Sequence, residues 1–496
     1  MRAAGSLTAL GAALLGLAAV PAWPADDAAW WAPGDGRVFP PVLSYPNPSG
    51  VSTTLNGAGP MSTAGHPFFT AQSANGRACV TCHQPADGMS LSVDTIRRRW
   101  DETSGRDPLF AAVDGSDCPS LPQQLASSHR LLLERGLIRI ARPWPPRDAQ
   151  GKPIEPEFAL EVVRDPTGCN RDPRYGLASA TPMVSVYRRP RPSTNLKFLT
   201  AVGFPFEPKN GMPLPTDAQT GRLVSGNILA DNRAATIPAQ IRDALSGHLE
   251  VRQPVPRATV AVIEAFLAQI YSAQSADRVG GALDDGASGG PAFLRDAREG
   301  DLQYGGAPIW KEFAPWGKPE VRGTANEAQS AFRESVARGA ALFATRTFLI
   351  DDSTGITNMG FGNPVRNSCA FCHNMQHTGM DVAPGQVDLG TTNLPHADSS
   401  PEMPLFRLTC KPGREHPFLG RVVYTQDPGF ALTTGKCVDI GKITIQSMRG
   451  LAARAPYFSN GSAPTIRAIV DFYERRYRIG LTEQEKQDLV NLMSVL

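Results

Sequence analysis

Apolar residues recur at helical spacing in four stretches of the chain. In the last stretch, Thr482 and Glu485 form a capping-box pattern ahead of the apolar positions. Alternating β-branched residues are scarce, whereas the chain contains 44 prolines and 47 glycines. We therefore predict a mainly α fold in which helices are joined by long loops. The predicted helical stretches are residues 258–275, 328–345, 463–480 and 481–496.

A stretch rich in glycine and proline divides the 496-residue chain into two units. The first unit is predicted to span residues 27–275 and to end in a helix that includes Ile270 and Tyr271. Residues 276–323 are expected to form a linker or a long surface loop. The second unit is predicted to span residues 324–496. Each unit is long enough to bury a core of its own.

The first residues of the chain follow the pattern of a secretory signal. Arg2 precedes an apolar run, and small residues surround Ala22, so residues 1–22 are predicted to be a cleavable signal peptide. An uncleaved anchor is the alternative. No other apolar stretch is long enough to span a bilayer, so we expect an exported protein with no membrane span in its mature form.

Charge is nearly balanced along the chain as a whole. The formal net charge is +2 and the isoelectric point is about 8.1, which predicts no interaction with nucleic acid. Arginines cluster at residues 97–99 and at Arg188, Arg189 and Arg191. We expect these clusters to be solvated surfaces, and a docking patch for an acidic redox partner is the alternative.

Two CxxCH motifs contain four of the eight cysteines and two of the eight histidines. This spacing is the attachment signature of c-type haem, because both thiols reach one porphyrin edge and the adjacent imidazole binds the iron. Chance would produce one such motif about once in five hundred chains of this composition. A redox dithiol or a zinc site fits the pattern less well. The residues predicted to hold two covalently attached haem c groups are Cys79, Cys82, His83, Cys369, Cys372 and His373.

Four cysteines remain outside the motifs. In an oxidising export compartment an even number of cysteines predicts disulfides. Three connectivities are open, of which the pairs Cys118 with Cys169 and Cys410 with Cys437 are the simplest.

The sequence resembles the bacterial dihaem cytochrome c peroxidases and MauG-like enzymes. The resemblance rests on the APYF-x-[DN]-G segment at 455–461 and the helix after it, on residues 75–90, and on RGAALF at 338–343. It implies two cytochrome c-like haem domains with their haems facing across an interface, often with a Ca²⁺ ion between them. Relative to that family, residues 100–225 are a long insertion.

The resemblance also implies second axial ligands. Counted from Gly461, the family's ligand to the C-terminal haem iron falls on Tyr473, with Met448 and Met380 as alternatives. Tyr473 could instead be one more residue on a buried helical face. His377 is expected to lie near the haem edge or in a loop.

At the N-terminal haem, the resemblance implies that His248 acts as a distal base or ligand with Glu250 beside it. His66 and His129 are further candidates, and the alternative for His248 is a position near solvent at a helix end.

Three features depart from the family. Residues 230–233 replace a tryptophan-containing segment that helps electrons pass between haems, for which Trp100 is a candidate substitute. Ser459 stands where the family has histidine, and the insertion at 100–225 is unusually long.

The function implied is a periplasmic oxidoreductase that reacts with peroxide or O₂ at the N-terminal haem. Electrons would be exchanged through the C-terminal haem with a periplasmic electron donor or a substrate protein. Two alternatives are open. One is a dihaem electron carrier without peroxidase activity, and the other is an oxygenase acting on an organic substrate.

Overall fold

The computed structural model describes most of the chain. The described residues are 29–148, 150–200, 216–217, 221, 224–297, 310–318, 321, 325–373 and 385–496. The predicted signal peptide, residues 1–22, lies outside them. Within these ranges, none of the helices combines the length and the apolar character that crossing a bilayer requires.

The prediction of a mainly α fold was wrong. About 30% of the chain is helical and 18% is strand, and the described residues form fifteen strands in six small sheets. Several strands are only two or three residues long, and such short segments give too few positions for alternation to be visible in the sequence. The α-helices in the described residues are α1 (Val93–Thr103), α2 (Arg130–Arg135), α3 (Leu196–Leu199), α4 (Ile237–Gly247), α5 (Arg257–Ala268), α6 (Pro291–Asp296), α7 (Glu327–Thr345), α8 (Ala431–Thr434), α9 (Ile466–Tyr477) and α10 (Glu483–Ser494).

The sheets are small and mostly antiparallel pairs. Their orders are β1-β4, β2-β3-β8-β9, β5-β7, β14-β13-β6, β10-β11 and β12-β15. The strands are β1 (Val38–Phe39), β2 (Val42–Asn47), β3 (Gly50–Asn56), β4 (Met61–Ser62), β5 (Ile138–Pro143), β6 (Phe158–Arg164), β7 (Met183–Arg188), β8 (Ile270–Asp277), β9 (Gly281–Ala282), β10 (Phe348–Ile350), β11 (Val365–Asn367), β12 (Gln386–Val387), β13 (Leu405–Cys410), β14 (Val422–Thr425) and β15 (Ile443–Thr444).

The four predicted helical stretches correspond to α5, α7, α9 and α10, with one correction. Helix α5 ends at Ala268, and the chain continues directly into strand β8. Ile270 and Tyr271 therefore belong to a strand, in which they pair with Asn56 and Leu55 of β3. Strand pairing with a distant segment overrides the local helical pattern here. Strand β8 also runs across the expected unit boundary at residue 275.

The described part of residues 100–225 does not fold apart from the second half of the chain. Strand β6 pairs along its length with β13, so that Phe158 lies opposite Cys410 and Leu408 lies opposite Leu160. Apolar residues from both halves share one core there, including Leu132 and Phe406. The disulfides Cys118–Cys169 and Cys410–Cys437 both form, which confirms the simplest of the three pairings.

The second half has a helical core built by α7, α9 and α10. The capping box at Thr482 and Glu485 is confirmed at the start of α10. Residues from the expected linker contribute to this core, because Trp310, Phe313 and Trp316 are all buried in it. The described part of 276–323 also contains β9 and α6. Phe343 of helix α7 packs against His373 of the second CxxCH motif, with ring centroids 6.0 Å apart.

Candidate haem sites

Each CxxCH motif opens into its own large cavity. The first cavity is lined by Cys79, Cys82 and His83 and encloses about 1500 Å³ of empty space, part of it open to solvent. The second cavity is lined by Cys369, Cys372 and His373 and encloses about 1340 Å³ on the same measure. Both linings are mainly apolar, which suits a large apolar group such as a porphyrin.

The two motifs fold in the same way. Residues Cys79–Thr81 and Cys369–Phe371 each form a short 3₁₀ turn. The backbone N–H groups of His83 and His373 donate to the carbonyls of Cys79 and Cys369 at 3.1 and 3.0 Å. This turn brings both thiols and the histidine of each motif to one cavity wall. All four motif cysteines are free thiols, whereas the other four cysteines form disulfides.

The His83 imidazole has the arrangement of a metal-binding histidine. Its Nδ1 lies 3.1 Å from the backbone carbonyl oxygen of Met89. Burial lowers the pKa of His83 to about 4, so the ring is neutral at ordinary pH. A neutral ring that donates from Nδ1 leaves the Nε2 lone pair available to a metal.

His248, at the end of α4, also lines the first cavity. Its Nδ1 lies 2.5 Å from a carboxylate oxygen of Asp114, which is 3% exposed. Burial acts to raise the pKa of Asp114, but the adjacent Arg77 guanidinium and the hydrogen bond with His248 together outweigh burial, and the pKa lies below its ordinary value. The ionised Asp114 holds the proton on Nδ1 of His248 and leaves Nε2 as the basic atom.

Glu250 does not line the first cavity. Its carboxylate oxygens lie 3.2 Å from Asn75 Nδ2 and 3.3 Å from Arg252. The other histidine candidates also lie elsewhere. His66 packs against Phe69 and Phe266, while the ring nitrogens of His129 contact the carbonyls of Gly115 and Gln123. Of the four side chains predicted for the distal side of this haem, the structure brings only His248 to the cavity.

The first cavity offers few other axial donors. No methionine, tyrosine or lysine side chain occurs among its described lining residues. Besides His83, the only imidazole there is that of His248. Among the described lining residues, His248 is therefore the one candidate for a second protein ligand to the iron of a haem in this cavity.

Tyr473 lines the second cavity together with His373. Its ring stacks on that of Tyr477, with centroids 6.3 Å apart and an interplanar angle of 19°. Burial raises the pKa of the Tyr473 phenol, and no described residue forms a hydrogen bond with its hydroxyl. Met448 lines the same cavity and is 7% exposed. Met380 and His377 lie outside the described residues.

Trp100 does not line either cavity. Its ring packs against Phe110 and His129 at centroid distances of 4.8 and 4.9 Å. No tryptophan occurs in either described cavity lining. In residues 230–233, the segment that replaces the family tryptophan, Asp231 is fully buried and forms ion pairs with Arg188 and Arg233.

Part of the second arginine cluster is buried, contrary to the expectation of a solvated surface. Arg188 and Arg189 are 3% and 8% exposed, and both line the first cavity with Arg191. This lining could not be predicted from the sequence, because the carboxylates that pair with the buried Arg188 come from distant segments. Arg188 pairs with Asp427, 239 residues away. The His248 partner Asp114 was missed for the same reason, since 134 residues separate the two.

The residues present fit a c-type haem in each cavity. The linings are mainly apolar, the thiols are free, and neither the Tyr473 hydroxyl nor the Nε of Arg191 has a hydrogen-bond partner among the described residues. The described residues contain no group of three or more His, Cys, Asp or Glu side chains suited to a metal ion, and thus no such group for Ca²⁺. Comparisons with protein-family models, curated proteins and solved structures gave no match to this chain.

Proposed function

We propose that this protein is an exported dihaem c-type cytochrome that acts as a peroxidase-like or MauG-like oxidoreductase. One observation carries the proposal: each CxxCH motif presents two free thiols and a histidine to a separate, mainly apolar cavity. A covalently bound haem would supply an iron that binds peroxide or O₂ and exchanges electrons. The resemblance to the dihaem peroxidases adds to this argument through the order and setting of the motifs.

In this proposal the chain divides two tasks between the cavities. In the first cavity, His83 would hold the iron, and His248, oriented by Asp114, would accept a proton from peroxide. In the second cavity, His373 and Tyr473 would both hold the iron, so that this haem would serve electron exchange. The second haem would then exchange electrons with a periplasmic donor or a substrate protein.

A second candidate is supported by the position of His248. If His248 Nε2 binds the iron of the first haem, both irons have two protein ligands and the protein is an electron carrier. An oxygenase acting on an organic substrate would need the same open position as the peroxidase.

Electron paramagnetic resonance of the ferric protein distinguishes the two assignments. We expect one high-spin and one low-spin ferric haem, because only the second iron has two strong protein ligands. Added peroxide should remove the high-spin signal. Two low-spin signals that persist with peroxide would contradict the enzyme assignment and support the carrier.

A further inference from the structure

A single segment separates the two cavities. Gln446 and Ser447 line both of them, and the preceding residues Thr444 and Ile445 line the second. We call residues 444–447 the dividing segment. Groups bound in the two cavities would therefore approach each other across this short stretch of chain.

Arg191 contacts the dividing segment from the first cavity. It lines that cavity, and its guanidinium donates to the carbonyl oxygen of Thr444 at 2.5 Å. Its Nε is buried and has no hydrogen-bond partner. Within the described residues, Arg191 forms no ion pair with a carboxylate.

Arg454 contacts the dividing segment from the second cavity. It lines that cavity, is 5% exposed, and donates to the carbonyl oxygens of Ser447 and Arg449. Like Arg191, it has no ion pair in the part of the chain that the structure describes. Burial lowers the pKa of Arg454 to about 10.

Two neighbouring arginines of the first cavity have carboxylate partners. Arg188 is paired with Asp231 and Asp427, and Arg233 is paired with Asp231 and Asp243. Arg189 has no ion pair among the described residues, but its guanidinium donates to the backbone carbonyl oxygens of Leu91, Gly136 and Arg454. Burying a charge is costly unless an opposite charge accompanies it. The two arginines beside the dividing segment therefore require an anion that the described protein does not supply.

We propose that Arg191 and Arg454 bind haem propionates, Arg191 those of the first haem and Arg454 those of the second. This inference rests on the proposed function, because the propionates arrive with the haems. Each haem carries two carboxylates on the edge opposite its thioether bonds, and an arginine fork binds a carboxylate with paired hydrogen bonds. Both propionate edges would then face the dividing segment, which would place the two porphyrins edge to edge across it.

The charge of each arginine should also set the reduction potential of its haem. Ferric haem carries one more positive charge than ferrous haem, so a nearby guanidinium favours the ferrous state. Removal of the guanidinium leaves the propionate charge unbalanced and favours the ferric state. The effect should be larger on the haem in the same cavity than on the other.

The test is spectroelectrochemistry of the holoprotein with each arginine replaced in turn. We expect Arg191→Gln to shift the reduction equilibrium of the first haem at least tenfold toward ferric, a fall of about 59 mV for one electron. Arg454→Gln should do the same to the second haem. The matched controls Arg191→Lys and Arg454→Lys retain the charge and should shift each potential by less than the glutamine variants do.

Failure of this inference can be told apart from failure of the proposed function. A preparation without covalent haem would overturn both. Two bound haems whose potentials do not respond to either glutamine variant would overturn the propionate assignment alone. If the variants do not fold, a crystal structure of the wild-type holoprotein decides. Propionate oxygens about 3 Å from Arg191 and Arg454 support the assignment, and propionates facing away from the dividing segment contradict it.

Discussion

Replacing Tyr473 by phenylalanine should abolish the low-spin ferric signal of the second haem and leave the signal of the first haem unchanged. The phenol lines the cavity that contains His373, and no described residue forms a hydrogen bond with it. A phenolate is a hard, anionic donor that stabilises ferric iron. Its loss should also raise the reduction potential of the second haem. Electron paramagnetic resonance and a redox titration measure the two effects.

Two control variants make this prediction specific. Tyr477→Phe makes the same chemical change one helical turn later, where the hydroxyl contacts Ser353 Oγ at 2.8 Å. Met448→Leu removes the methionine predicted as the alternative ligand, which is one of two methionines, with Met493, that line the second cavity. Neither control should alter the low-spin signal. A signal that survives Tyr473→Phe but disappears in Met448→Leu would assign the ligand to the methionine.

Replacing His248 by glutamine should slow the reaction with peroxide by about 100-fold, within the usual contribution of a positioned proton acceptor. Asp114 holds the Nδ1 proton, so that Nε2 is the atom that would take the proton from bound peroxide. The content of covalent haem should not change, because His248 lies outside the attachment motif. Stopped-flow absorbance of the ferric protein after mixing with peroxide measures the rate.

Glu250→Gln is the matched control for His248. Glu250 lies two residues further along the chain, but its contacts are with Asn75 and Arg252 outside the cavity lining. We expect its rate to remain within twofold of the wild type. Equal losses in both variants would show that this segment acts through its fold rather than through the imidazole of His248.

Local sequence patterns predicted the parts of the molecule that depend on near neighbours. The CxxCH spacing puts both thiols and the histidine of each motif within five residues, so a short turn is enough to bring all three to one cavity wall. Helical periodicity located α7, α9 and α10, and the capping box fixed the start of α10. The pattern at 258–275 extended too far, because pairing with β3 begins at Ile270.

Features that join distant segments could not be predicted in this way. Strand β6 pairs with β13 from the other half of the chain, so neither strand has a partner nearby in sequence. A local sequence pattern cannot show that Arg191 and Arg454 approach the dividing segment from opposite sides, because the two residues are distant in sequence. The sequence predicts a solvated surface for the arginine cluster at 188–191, because the buried carboxylates that pair with Arg188 are far away in sequence.

The intact mass of the exported protein tests the central claim most directly. The protein should be produced in a bacterium that attaches haem c, then denatured and reduced before measurement, so that only covalently bound groups remain. We predict a mass that exceeds the polypeptide by two haem groups, with the haem-bearing peptides containing Cys79 with Cys82 and Cys369 with Cys372. A colourless protein with the mass of the polypeptide alone would contradict the account.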